Sequence, residues 1–86
     1  MELIFTKPFR KAMSKLTMRQ RGAVGKALEK YQADRADPTL LDHPLKGKMK
    51  SLRAFSAGHD LRVIYREEGG FITIILLDAG THNQVY

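Results

Sequence analysis

Residues 61–77, LRVIYREEGGFITIILL, decide the fold. In the first half Leu61, Val63 and Tyr65 alternate with Arg62, Ile64 and Arg66. That period of two belongs to a strand with one buried face and one partly basic face. Glu67-Glu68-Gly69-Gly70 then turns the chain. The second half, residues 71–77, is apolar on both faces except at Thr73, which predicts a central strand covered from two sides. Upstream, residues 49–55 read as a further, moderate strand, and short turns join the three.

Before the loop DPTLLDHPLKG (residues 37–47) the period is 3.6, not 2. Phe9, Ala12, Met13 and Leu16 fall at i, i+3, i+4 and i+7, one face of an amphipathic helix with Pro8 suited to its first turn. Thr17 and Gln20 have the spacing of a capping box and open a second helix. Its apolar face is Val24, Ala27, Leu28 and Tyr31, and the pattern stops before Asp37-Pro38. Ahead of both helices, residues 2–6 (ELIFT) are β-prone and end against Lys7-Pro8. The expected fold is α+β: an N-terminal strand, a two-helix antiparallel hairpin, then a mainly antiparallel three-stranded sheet packed on the hairpin. With 86 residues and no linker or repeat, it forms one domain, residues 1–86.

Composition narrows the function. The chain has no cysteine, which removes disulfides, thiolate metal sites and thiol catalysis. No apolar run reaches the ~18 residues that span a bilayer, and the N-terminus lacks a secretory pattern, so a cytoplasmic protein is expected. A net charge of +6 and a pI near 9.9 point to an acidic partner, either nucleic acid or an acidic protein covering the same surface. The excess of bases lies before residue 67, and residues 67–86 carry only acids.

Three groups of residues are candidates for chemistry. His43, His59 and His82 fall in loops or at strand ends, where active-site residues concentrate, and their spacing matches no zinc motif. Lys46, Lys48, Lys50 and Arg53 lead into one strand and Arg62 and Arg66 lie on the next. Cross-strand neighbours sit ~5 Å apart, so these cations suit a single phosphate-binding patch, or an edge strand guarded by lysine. At the C-terminus, GTHNQVY puts His82 and Tyr86 just past the last strand, where the aromatic can stack on a base or close the open end of the sheet.

The segments DHPLKG, LRAFSAGHDLRVIY and IILLDAGTHNQVY, in that order and at these separations, resemble bacterial toxins of the RelE/ParE superfamily, specifically the YafQ-like mRNA interferases. The resemblance implies a RelE-like, microbial-RNase-like fold. It also implies a ribosome-dependent endoribonuclease that cleaves mRNA in the ribosomal A site without a metal or other cofactor, and a cognate acidic antitoxin as partner. Matched position by position, His43 stands for the family's histidine before the second strand, as general base or orienting group. Asp60 stands for its carboxylate, His82 for the histidine that acts as general acid, and Tyr86 for the terminal aromatic. Lys46, Lys48, Lys50, Arg53 and Arg62 are the expected nucleic-acid-binding residues. The chain departs from the pattern at Ser56, where the family has a further histidine, and at Leu61, where an aromatic follows the carboxylate. His59 is the expected partial substitute for that histidine. A gyrase inhibitor on the same fold and a non-catalytic RNA-binding module remain open beside the nuclease.

Overall fold

A computed structural model describes residues 1–86. The elements run in the order β1 (Glu2–Phe5), α1 (Lys7–Ser14), α2 (Met18–Ala33), β2 (His43–Pro44), β3 (Arg53–Ser56), β4 (Leu61–Glu68), β5 (Thr73–Thr81) and α3 (His82–Val85). The α+β architecture is as expected, but the sheet has five strands, ordered β1-β5-β4-β3-β2. Two segments account for the difference. The N-terminal strand joins the free side of β5 in parallel, Leu3 opposite Ile74 and Phe5 opposite Leu76. His43-Pro44, read from sequence as loop, pairs antiparallel with β3 as a two-residue edge strand.

Local chemistry sets both helix starts. The Thr6 hydroxyl accepts the Phe9 N–H at 3.2 Å and donates to the Leu76 carbonyl at 2.7 Å, which caps α1 and ties it to β5. The Thr17–Gln20 capping box forms as read: Gln20 N–H to the Thr17 hydroxyl at 3.1 Å, and Thr17 N–H to the Gln20 side chain at 2.9 Å.

Strand alternation divides the sheet into two faces. On one, Leu61, Val63 and Tyr65 of β4, Phe55 of β3 and Ile74, Leu76 and Ala79 of β5 pack against Phe9, Leu16, Val24, Ala27 and Tyr31 from the helical layer. This is the main core, in which Tyr31 stacks on Phe55 at 4.8 Å and meets Tyr65 edge-on at 5.2 Å. The other face carries a small cluster of Ala54, Ile64 and Val85, flanked by Leu45, Met49 and Leu52. No helix of the chain is long and apolar enough to cross a membrane.

Three expectations about boundaries change. The strand expected from Met49 starts at Arg53, because Gly47 (φ +66) opens a one-turn 3-10 helix, Gly47–Met49, that carries the lysines out of the sheet. The last strand begins at Thr73 and runs to Thr81, two residues of β5 (Leu77 among them) crossing one step of β4 at a bulge between Ile64 and Tyr65. The terminal GTHNQVY does not trail away: His82–Val85 form α3, which folds back on the sheet.

Candidate active site

α3 is placed by three contacts. Val85 is buried against Ala54 and Ile64. Gln84 Oε1 accepts the Thr81 N–H at 2.7 Å, the same Thr-x-x-Gln spacing that opens α2. The Asp60 carboxylate, from the β3–β4 turn, accepts the His82 N–H at 3.3 Å and so satisfies a helix-start donor that has no partner within the helix. Gly80 makes this return feasible, since a Cβ there would come within 2.7 Å of Gln84 Oε1. The result is an exposed His82 ring in edge contact with Tyr86, centroids 4.6 Å apart. His82 is therefore the first residue of a capped helix and not part of a free terminal loop.

Strand register decides which other candidates share that face. Arg62 lies opposite Gly80 on one side and Ser56 on the other. His43 lies opposite Ala54, which lies opposite Ile64, in the row against which Val85 packs. Neighbouring strands are ~4.8 Å apart, so His43 on β2 is about two strand spacings from the centre of β4. The His43 ring is exposed, and its Nδ1 sits 2.8 Å from the Leu41 carbonyl. A carbonyl only accepts, so Nδ1 carries the proton and Nε2 keeps a free lone pair when the ring is neutral. Arg62 donates through Nη1 to the carbonyls of Leu61 at 3.0 Å and His59 at 3.4 Å and stays partly exposed. Lys46, Lys48 and Lys50 are exposed on the β2–β3 loop, whose Leu45, Met49 and Leu52 border the same face.

Arg53 and His59 fall elsewhere, and Ser56, though opposite Arg62, is taken up by its own turn. Arg53 is opposite Tyr65, so its side chain belongs to the helix-covered face and not to the face of Arg62. There it pairs with Asp42 through Nη2 at 3.3 Å and donates through Nε to the Tyr65 hydroxyl at 3.1 Å. The Tyr65 hydroxyl donates to Asp42 at 2.6 Å. Burial, and then the bond to Asp42, push the Tyr65 phenol well above its ordinary range, so it remains a donor. Burial opposes the charge on Arg53, but its bonds to Asp42 and Tyr65 outweigh that and raise its pKa. The single patch expected from the basic residues thus divides, with Arg53 committed to structure. Ser56 is buried and accepts the Gly58 N–H at 3.1 Å, so its hydroxyl stabilises the turn. His59, at φ 47, lines a cleft with Arg19, Gln20 and Ala23 of α2 and does not occupy the place of Ser56.

Asp42 and Tyr65 are not among the site residues expected from the sequence. Tyr65 read as one of three apolar strand residues, and nothing local distinguishes a core tyrosine from one whose hydroxyl anchors a loop. α3 had a local signal in Thr81-x-x-Gln84, overshadowed by the preceding Gly80.

The family model for YafQ, a bacterial toxin of type II toxin-antitoxin systems, matches residues 1–86. The chain belongs to the YafQ toxin family. Among solved structures it resembles a copper-bound mutant toxin from Helicobacter pylori at 27% identity and a TM-score of 0.78, covering 99% of this chain and 98% of that one. YafQ from E. coli strain BL21(DE3) matches at 19% identity and a TM-score of 0.77, covering 99% and 97%. The YafQ of the E. coli DinJ-YafQ toxin-antitoxin complex matches at 18% and 0.71, covering 99% and 96%. No curated protein matches the chain.

Proposed function

We propose that this toxin is an endoribonuclease that cleaves mRNA in the ribosomal A site. The observation that carries this reading is the open sheet face, where a histidine with a free Nε2, an arginine and a histidine–tyrosine pair are all presented to solvent. In the proposed reaction a ribose 2′-oxygen attacks the adjacent phosphorus as His43 Nε2 takes its proton. The bond from phosphorus to the 5′-oxygen breaks, and protonated His82 supplies a proton to that oxygen. The products are a 2′,3′-cyclic phosphate and a 5′-hydroxyl. Both proton transfers suit imidazole, whose ordinary pKa near 6.5 keeps both forms accessible. Arg62, assisted by Lys46, Lys48 and Lys50, offsets the charge of the pentacoordinate phosphorane. Asp60 holds His82 through its backbone, and Tyr86 stacks on a base of the codon.

The same cations suit an acidic antitoxin that covers them and keeps the nuclease silent. The E. coli relative in complex with DinJ supports such a partner for this chain.

The test is His82→Gln. Cleavage of ribosome-bound mRNA, read by primer extension, is expected to fall 10²–10⁴-fold, the usual contribution of a general acid, with an unchanged melting midpoint. Undiminished cleavage by the folded variant overturns the assignment. Loss of DNA supercoiling by the parent without RNA cleavage would instead favour gyrase inhibition.

A further inference from the structure

β2 is two residues long, and one of them is His43. Its ladder to β3 consists of His43 opposite Ala54 and Pro44 opposite Arg53, and Pro44 has no N–H to donate. One further backbone bond, from the Leu45 N–H to the Leu52 carbonyl at 2.9 Å, follows the ladder, so backbone pairing is a short hold on the strand that carries the proposed base. A side-chain network provides a second hold. Asp42, directly before His43, receives the Tyr65 hydroxyl at 2.6 Å and the Arg53 guanidinium at 3.3 Å through Nη2 and 3.4 Å through Nε. Arg53 closes the triangle at 3.1 Å from the Tyr65 hydroxyl. Tyr65 is fully buried on β4, and the Asp42 side chain is only 7% exposed.

Two geometric consequences reach His43. Successive residues of an extended chain point to opposite faces, so holding Asp42 on the covered face sends His43 to the open one. Leu41, turned to φ 50, aims its carbonyl at His43 Nδ1. We infer that Asp42, Arg53 and Tyr65 are positioning residues for His43, fixing the edge strand and with it the ring's tautomer and the direction of Nε2. The catalytic consequence rests on the reading of His43 as general base, while the positioning itself does not.

Tyr65→Phe tests this, because it removes one hydroxyl and leaves the ring against Tyr31 and Phe55. The first measurement is ¹⁵N NMR of the His43 ring at a pH where it is neutral. The parent is expected to show mainly the Nδ1–H form, and the variant a mixture of both tautomers. The second is single-turnover cleavage of ribosome-bound mRNA, with kcat expected to fall roughly ten- to hundredfold and KM unchanged, as for a misplaced catalytic group. Asp42→Asn keeps an acceptor for the hydroxyl while weakening the Arg53 pair, and should fall between parent and Tyr65→Phe in both measurements. Identical tautomer populations in parent and Tyr65→Phe overturn the inference. So does a raised KM with kcat intact, which would assign the network to RNA binding. A parent chain that cleaves no RNA removes the base assignment alone, and the tautomer comparison still decides the positioning.

Discussion

The two faces of the sheet treat polar side chains in opposite ways. On the helix-covered face Asp42, Arg53 and Tyr65 are tied to one another at 2.6–3.4 Å. On the open face the rings of His43, His82 and Tyr86 point into solvent, and the only side-chain bond recorded among them is from His43 to the neighbouring Leu41 carbonyl. Water is the cause. A polar group under the helices loses hydration and must find a protein partner, whereas one on the open face is satisfied by solvent that a ligand can displace. A chain of 86 residues covers only one face of its sheet well, with two helices against a small cluster of three buried residues. The open face is then available to a ligand, RNA in the function proposed above.

The largest expected effect lies on the covered face. Phe55 is fully buried, stacked on Tyr31 and 5.7 Å from Tyr65. Phe55→Ala should cost about 3–5 kcal/mol, the usual loss for a deleted core ring. Domains of this kind have roughly 5–15 kcal/mol in total, so denaturant titration should find the variant close to unfolding. A loss below ~1 kcal/mol would mean that the helices hold the sheet less tightly than the packing indicates.

That covered face was also the part most legible in the sequence. Leu61, Val63 and Tyr65 announced it by period two, and Phe9, Val24, Ala27 and Tyr31 by period 3.6. Both signals follow from backbone geometry alone. β1 was legible as a strand but not as the parallel partner of β5, because a partner 71 residues away leaves no local trace. His43-Pro44 was hidden by its length and its proline. The division of the arginines was hidden for a different reason. Arg53 and Arg62 look alike in sequence, and their faces are set by a register that pairs Arg53 with Tyr65 and Arg62 with Ser56.

Those two arginines give the next, smaller effect. Arg53→Ala leaves Asp42, nearly buried, short of its cation and should cost about 1–3 kcal/mol of stability. Its side chain is 25% exposed, so the lower half of that range is expected. Arg62→Ala should change stability by no more than about 0.5 kcal/mol, yet weaken RNA binding and reduce its log-salt slope by about one contact. Thermal melts and ribosome co-sedimentation at two salt concentrations separate the pair. If Arg53→Ala keeps full stability and loses RNA binding, the contrast between the faces fails at its clearest point.

The smallest effect concerns the one hydroxyl that breaks the rule. Tyr31 is fully buried, and its hydroxyl has no partner at hydrogen-bonding distance and angle. A phenol in that position bears a desolvation cost that the neighbouring Tyr65 hydroxyl offsets only in part, so Tyr31→Phe should be neutral or stabilising by up to about 1 kcal/mol. Alkaline unfolding gives a second reading of the same site. Burial raises the Tyr31 phenol above its ordinary 10.0, and the Tyr65 phenol is raised as well. The folded state therefore holds both protons where the unfolded state releases them. Their contribution is fully present below pH 10 and is lost as the pH climbs from there toward the folded values. Each tyrosine adds about 1.4 kcal/mol of lost stability per pH unit in that window. Tyr31→Phe should reduce this slope by one proton while leaving the contribution of Tyr65. A variant that is less stable by more than ~1 kcal/mol at neutral pH would reveal a partner for the hydroxyl and bring Tyr31 into line with its neighbours.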